Sequence, residues 1–153
     1  MILGFTGSSD EVTDWQERIM VAFVRAFRPE KVHHGSCQGA DALMDRICAA
    51  AGAARVVHPG HDKHGASPKR ALVVPGAVEV RESKPYLDRN KDIVNETDLL
   101  LAVPNGPEQQ RSGTWSTVRY ARSVHRNVVI IWPNGSLDII VPGLELPGVP
   151  DER

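Results

Sequence analysis

The sequence predicts one α/β domain built on a doubly wound, mainly parallel sheet with helices on both faces. Three observations predict it. Short apolar runs alternate about five times with stretches of helical period; the strongest runs are continuous, as strands covered on both faces are; and loops rich in Gly, Ser and Pro follow the runs. A length of 153 residues suits a single domain with a real core.

The elements follow in order. Ile2-Leu3-Gly4-Phe5 is a short buried strand, and Thr6-Gly7-Ser8-Ser9 turns the chain after it. From Thr13 the period changes: Trp15, Ile19, Phe23 and Phe27 recur every four residues and predict the apolar stripe of a helix, which places the three aromatics in the core. Thr13 with Gln16 forms a capping box at its start, and Pro29 ends it. Lys31-Val32-His33-His34 leads into the loop Gly35-Ser36-Cys37-Gln38-Gly39, and a second helix carries Ala40, Leu43, Met44, Ile47, Cys48 and Ala51 before Gly52 closes it. Arg55-Val56-Val57 is a third strand. Residues 58–83 are irregular, with Val78-Glu79-Val80 as a minor strand, and suit an active-face loop or flap. A helix after Pro85 packs through Leu87, Asn90, Ile93, Val94 and Thr97. Leu99-Leu100-Leu101-Ala102-Val103 is the clearest strand; a helix over 113–125 and the strand Val128-Val129-Ile130-Ile131-Trp132 complete the alternation. Residues 1–135 form the domain, and 136–153 a Pro- and Gly-rich tail with an edge strand over 137–141.

Composition narrows the function. Eighteen Lys and Arg against 19 Asp and Glu give a net charge of -1, with 5% aromatics. A concentrated basic face for nucleic acid is not expected, nor a stacking groove for single strands. No apolar stretch approaches the roughly 18–20 residues of a spanning helix, and the first residues lack a secretory pattern, so the expected compartment is the cytoplasm without membrane contact. Cys37 and Cys48 form no Cys-x-x-Cys pair.

In doubly wound sheets ligands bind outside the carboxyl ends of the strands, so the loops there carry the chemistry. Thr6-Gly7-Ser8 offers hydroxyls and backbone donors without a dinucleotide or Walker fingerprint. Arg111-Ser112-Gly113-Thr114 stands where a helix begins: amides, two hydroxyls and the positive end of the helix dipole converge there, which suits a phosphate, and Arg111 adds charge. Capping of its own helix by Ser112 accounts for most strings of this kind. Gly35-Ser36-Cys37-Gln38-Gly39 has nucleophile-elbow spacing, with His33, His34 and His58 as candidate bases, but nothing selects one. His58, His61 and His64 recur every three residues on an irregular loop, which does not align the rings; no metal site is expected.

The strings Gly4-Phe5-Thr6-Gly7-Ser8, His34-Gly35-Ser36-Cys37-Gln38-Gly39-Ala40-Asp41, Arg89-Asn90-Lys91-Asp92 and Ser112-Gly113-Thr114-Trp115 occur in the order seen in the SLOG superfamily. That group includes the Lonely Guy phosphoribohydrolases, the DNA-processing protein A domain and the YpsA/YspA-like proteins, and the chain resembles the last most. His58-Pro59-Gly60-His61 is similar to their stretch after the third strand. The resemblance covers about residues 1–135. It implies a Rossmann-like domain, a homo-oligomer, and a nucleoside phosphate or ADP-ribose-like ligand in place of a resident cofactor. Gly7 and Ser8 would approach that ligand. Gly35, Gly39 and Asp41 would form a second wall, Arg89 and Asn90 would reach in from the helix, and Ser112, Gly113 and Thr114 would take the phosphate. Asp41 is also suited to capping its own helix, and Asn90 to a structural role.

One departure bears on catalysis. The Lonely Guy motif ends in a glutamate that serves N-glycosidic cleavage, and Thr117 stands in that place here. A hydroxyl does not stabilise an oxocarbenium-like centre as a carboxylate does. The expected role is therefore binding, as sensor, carrier or sequestering protein. A nucleoside-monophosphate N-glycosidase remains the alternative, with Asp41, Glu79 or Glu82 as a displaced catalytic carboxylate. Single-stranded DNA binding, in the manner of DNA-processing protein A, is a third reading.

Overall fold

The structure is a computed structural model and describes residues 1–70 and 73–142. Chain order is β1 (Ile2–Gly7), α1 (Asp14–Phe27), β2 (Lys31–His34), α2 (Ala40–Ala50), β3 (Ala54–Val57), β4 (Gly60–His61), β5 (Val78–Val80), β6 (Lys84–Pro85), α3 (Tyr86–Asn95), β7 (Leu99–Val103), α4 (Gly113–Ser123), β8 (Asn127–Ile131) and β9 (Leu137–Ile140). Seven strands make one sheet in the order β5-β3-β2-β1-β7-β8-β9, parallel except for β9. The expected minor strand over 78–80 is thus the parallel edge, and the expected strand at the start of the tail is the antiparallel one. Residues 143–153 of that tail lie outside the described residues. No helix among the described residues is long and apolar enough to cross a membrane.

Strand alternation builds two cores. Successive side chains point to opposite faces, so Leu101 and Val103 join Leu3, Phe5, Met20, Val24 and Met44 on one side. Leu100 and Ala102 join Val94, Trp115, Val118 and Ile130 on the other. This is why the run 99–103 is apolar without a break: each residue faces a helix layer.

Helix α1 starts as its capping box dictates. Thr13 accepts from the Gln16 amide at 3.1 Å, and Gln16 Oε1 accepts from the Thr13 amide at 3.0 Å. Its buried face differs from the expected aromatic stripe. Gln16, Met20 and Val24 are buried, whereas Trp15 and Phe27 are each 58% exposed. Trp15 precedes Gln16 by one residue and is therefore rotated by about 100° from it. Phe27 ends the helix and stacks on the half-buried Phe23, with 4.5 Å between ring centroids. Leu87, expected to pack under α3, is 62% exposed.

The buried glutamine has a structural reason. Gln16 Nε2 donates to the carbonyls of Pro104 at 2.7 Å and Ile131 at 3.0 Å, joining α1 to the carboxyl ends of β7 and β8. Gln16→Leu would fill the space but strand both carbonyls. The expected cost is about 2–4 kcal/mol, read as a lower urea midpoint.

Candidate functional site

The strand order reverses beside β1. The chain moves outward through β2, β3 and β5 and then returns to place β7 on the other side of β1. A crevice opens where the loops after β1 and β7 part, as expected at such a reversal. It is a cleft of about 610 Å³ whose walls include Thr6, Gly7, Ser8, Arg89, Asn90 and the segment Arg111-Ser112-Gly113-Thr114. The structure therefore brings together the loops after β1 and β7 and the first turns of α3.

Glycines set the floor. Gly7 ends β1 against the start of α2, and a Cβ there would come within 2.3 Å of Ala40 Cβ. Gly39 has φ +78, and a Cβ on it would meet the Ser8 and Asp10 carbonyl oxygens at 2.6 Å. These two approaches bring the Ser8 carbonyl onto the Ala40 amide, at 2.9 Å, and the Ser8 amide onto Val103 O, at 3.0 Å.

The amino end of α4 faces the cleft. Ser112 is its N-cap, accepting from the Trp115 amide at 3.3 Å, so its hydroxyl serves the helix. The amides of Gly113 and Thr114 precede any intrahelical acceptor. With the helix dipole they form a point of positive potential, and the exposed Arg111 stands beside them. The Thr117 hydroxyl donates to Gly113 O at 2.8 Å, and the residue is buried.

Gly35, Ser36, Gly39 and Asp41 are not part of the cleft lining; they stand behind it. Asp41 is buried and caps its loop, not its helix: Oδ2 accepts from the Gly35 and Cys37 amides, each at 3.2 Å. Burial pushes its carboxyl upward from the ordinary value, against the pull of His34 and Arg89. Arg89 links this loop to the cleft. Its Nη1 donates to Gly35 O at 2.9 Å and His58 O at 3.0 Å, and its Nε to Asn90 Oδ1 at 2.8 Å. Its guanidinium lies 5.3 Å from the centre of the Tyr86 ring.

The other candidates for chemistry separate. Glu79 lies on the edge strand β5 and pairs with Arg81 at 2.8 Å; Glu82 is exposed beyond it, and neither lines the cleft. Asp10 is the carboxylate among the lining residues, held by Asn105 Nδ2 at 2.9 Å. Cys37 lines the wall, but burial and then the nearby Asp41 push its thiol up. His34, a candidate base for it, is turned away onto Asp45 at 2.9 Å. His58 is buried against His33, His61 bonds Ser83 at 2.7 Å, and His64 lies on an exposed turn built on Asp62.

Several lining residues were not expected at the site: Asp10, Lys69, Tyr86, Leu87 and Arg119. Tyr86 was within reach, because it precedes Arg89 by three residues and Asn90 by four on one helix and so shares their face. Lys69 comes from the irregular stretch, folded back when Gln38 donates to Lys69 O at 2.7 Å. No local pattern marks it.

No protein-family model and no curated protein matches the chain. Among solved structures it is similar to a molybdenum cofactor binding protein from the phototrophic bacterium Rippkaea orientalis, at 17% identity over 86% of this chain and 76% of that one, with a TM-score of 0.57. It is also similar to TM1055, a structural genomics target, at 16% identity over 83% of this chain and 71% of that one, with a TM-score of 0.58. The fold is Rossmann-like. At such identities the likeness concerns this Rossmann-like architecture, within which the cleft occupies the position that such sheets offer to ligands.

Proposed function

We propose that this chain is a SLOG-type domain of the cytoplasm that binds a small nucleotide-derived ligand, a nucleoside phosphate or ADP-ribose relative, as sensor, carrier or sequestering protein. The observation that carries the proposal is the convergence of the Gly113 and Thr114 amides, the α4 dipole and Arg111 on one side of a cleft at the strand-order reversal. A phosphate seats there, the sugar crosses Gly7 and Ser8, and the base extends towards Tyr86 and the exposed Leu87. The volume of about 610 Å³ lies in the range of small-ligand sites. That a solved structure of similar fold is a cofactor binding protein supports small-ligand binding in general.

Binding is favoured over hydrolysis because Asp41, Glu79 and Glu82 do not line the cleft, the carboxylate that does, Asp10, is engaged by Asn105, and the Thr117 hydroxyl is used within its helix. Incubation with a panel of nucleoside monophosphates and ADP-ribose should raise the melting temperature with at least one member and release no free base on chromatography. Absence of any stabilisation would reject the proposal; released base would replace it with the N-glycosidase reading.

A further inference from the structure

Away from the cleft, three side chains distant in sequence converge under the end of α3. His34 points towards α2, where it meets Asp45, so its neighbour His33 points from β2 to the opposite sheet face. His58, just past the end of the adjacent β3, lies beside it: His33 Nδ1 and His58 Nε2 are 2.8 Å apart. Glu96, the C-cap of α3, brings Oε2 to 3.8 Å from His58 Nε2. The three potential ligand atoms all lie within 4.8 Å of one another.

We propose that His33, His58 and Glu96 bind a divalent transition-metal ion of the zinc class, with a remaining coordination position open to water. Two imidazoles and one carboxylate are a known ligand set for zinc with an open position, and bond lengths of about 2.0–2.2 Å put tetrahedral ligands roughly 3.3–3.5 Å apart. Reaching that geometry asks the histidine nitrogens to part slightly and Glu96 to close in. The carboxylate can do so, because its side chain is only partly covered, and the same opening gives the ion its entry path.

The surroundings fit a cation. His33 and His58 are both buried, and a neutral imidazole has one nitrogen lone pair to give a metal; the proton the two rings share in their hydrogen bond moves to an outer ring nitrogen or to water as the ion binds. Arg81 holds the other carboxylate oxygen, Glu96 Oε1, at 2.9 Å and is itself paired with Glu79 at 2.8 Å. One arginine between two carboxylates leaves this group with one negative charge, and the outer partner orients the ligand. A bound ion would tie β2, the segment after β3 and the end of α3 together, and α3 also carries Arg89 and Asn90.

Competition with a chromogenic zinc chelator, on protein stripped of metal, tests the proposal. One equivalent of zinc should bind with a rise in melting temperature, and cobalt(II) in its place should give the visible bands of a four-coordinate site. His58→Asn and Glu96→Gln should weaken binding at least about 10-fold, while His61→Ala and His64→Ala should not. Glu96→Gln keeps shape at a partly exposed position, so it decides the matter if the buried histidine variant fails to fold. Failure of the unmodified protein to bind zinc, or unchanged affinity in Glu96→Gln, would overturn the proposal.

Discussion

Gly113→Asp is expected to abolish stabilisation by nucleoside phosphates while the unliganded protein keeps its stability. The two effects separate for physical reasons. A Cβ at Gly113 meets no heavy atom within 4 Å, and its φ is not in the left-handed region, so the backbone accepts the new side chain. A carboxylate in the first turn also favours the α4 dipole, by about 0.3–1 kcal/mol. The same carboxylate occupies the point offered to the phosphate and repels it. Loss of amide contacts to a charged ligand costs about 1.5–3 kcal/mol each, so affinity should fall by about 100-fold or more. Thermal shift with and without ligand checks both halves. Retained stabilisation would place the phosphate elsewhere.

Arg89→Ala carries the largest expected stability effect. Arg89 is buried, and its removal strands the carbonyls of Gly35 and His58, frees the Asn90 amide oxygen and takes away a guanidinium whose charge favours the buried Asp41 carboxylate. Removing one member of a buried charged network typically costs about 3–5 kcal/mol. Chemical denaturation should show a loss of that order, with the second loop collapsing first because Gly35 links it to α3. Arg111→Ala offers the contrast. Arg111 is exposed, so its loss should change stability by under about 0.5 kcal/mol and lower ligand affinity instead. A shift below about 1 kcal/mol for Arg89→Ala would show that the loop does not depend on this guanidinium.

The parts of the fold legible from sequence are those with local causes. The unbroken apolar run 99–103, the capping box of Thr13 and Gln16, and the turn residues after β1 and β7 each specify their own conformation, and alternation of strand and helix then implies the sheet. The loops after β1 and β7 were legible as cleft walls by the same logic. What escaped depends on tertiary placement. Gln16 outcompetes its aromatic neighbour for the core because two carbonyls at strand ends need a donor, which no local pattern announces. Asp41 and Gly35 belong to the wall's support because Arg89 reaches through to them from 54 residues away from Gly35. The pairing of His33 with His58 and Glu96 has no spacing signature, since β2, β3 and α3 meet only in the folded sheet.

An amide-resolved NMR titration with a nucleoside monophosphate tests the account most directly. The amides of Gly113 and Thr114 should shift most and saturate together with those of Gly7 and Ser8, while Glu79 and Glu82 on the far edge stay still. Saturable binding that leaves Gly113 and Thr114 unmoved, or no binding at millimolar ligand, would contradict it.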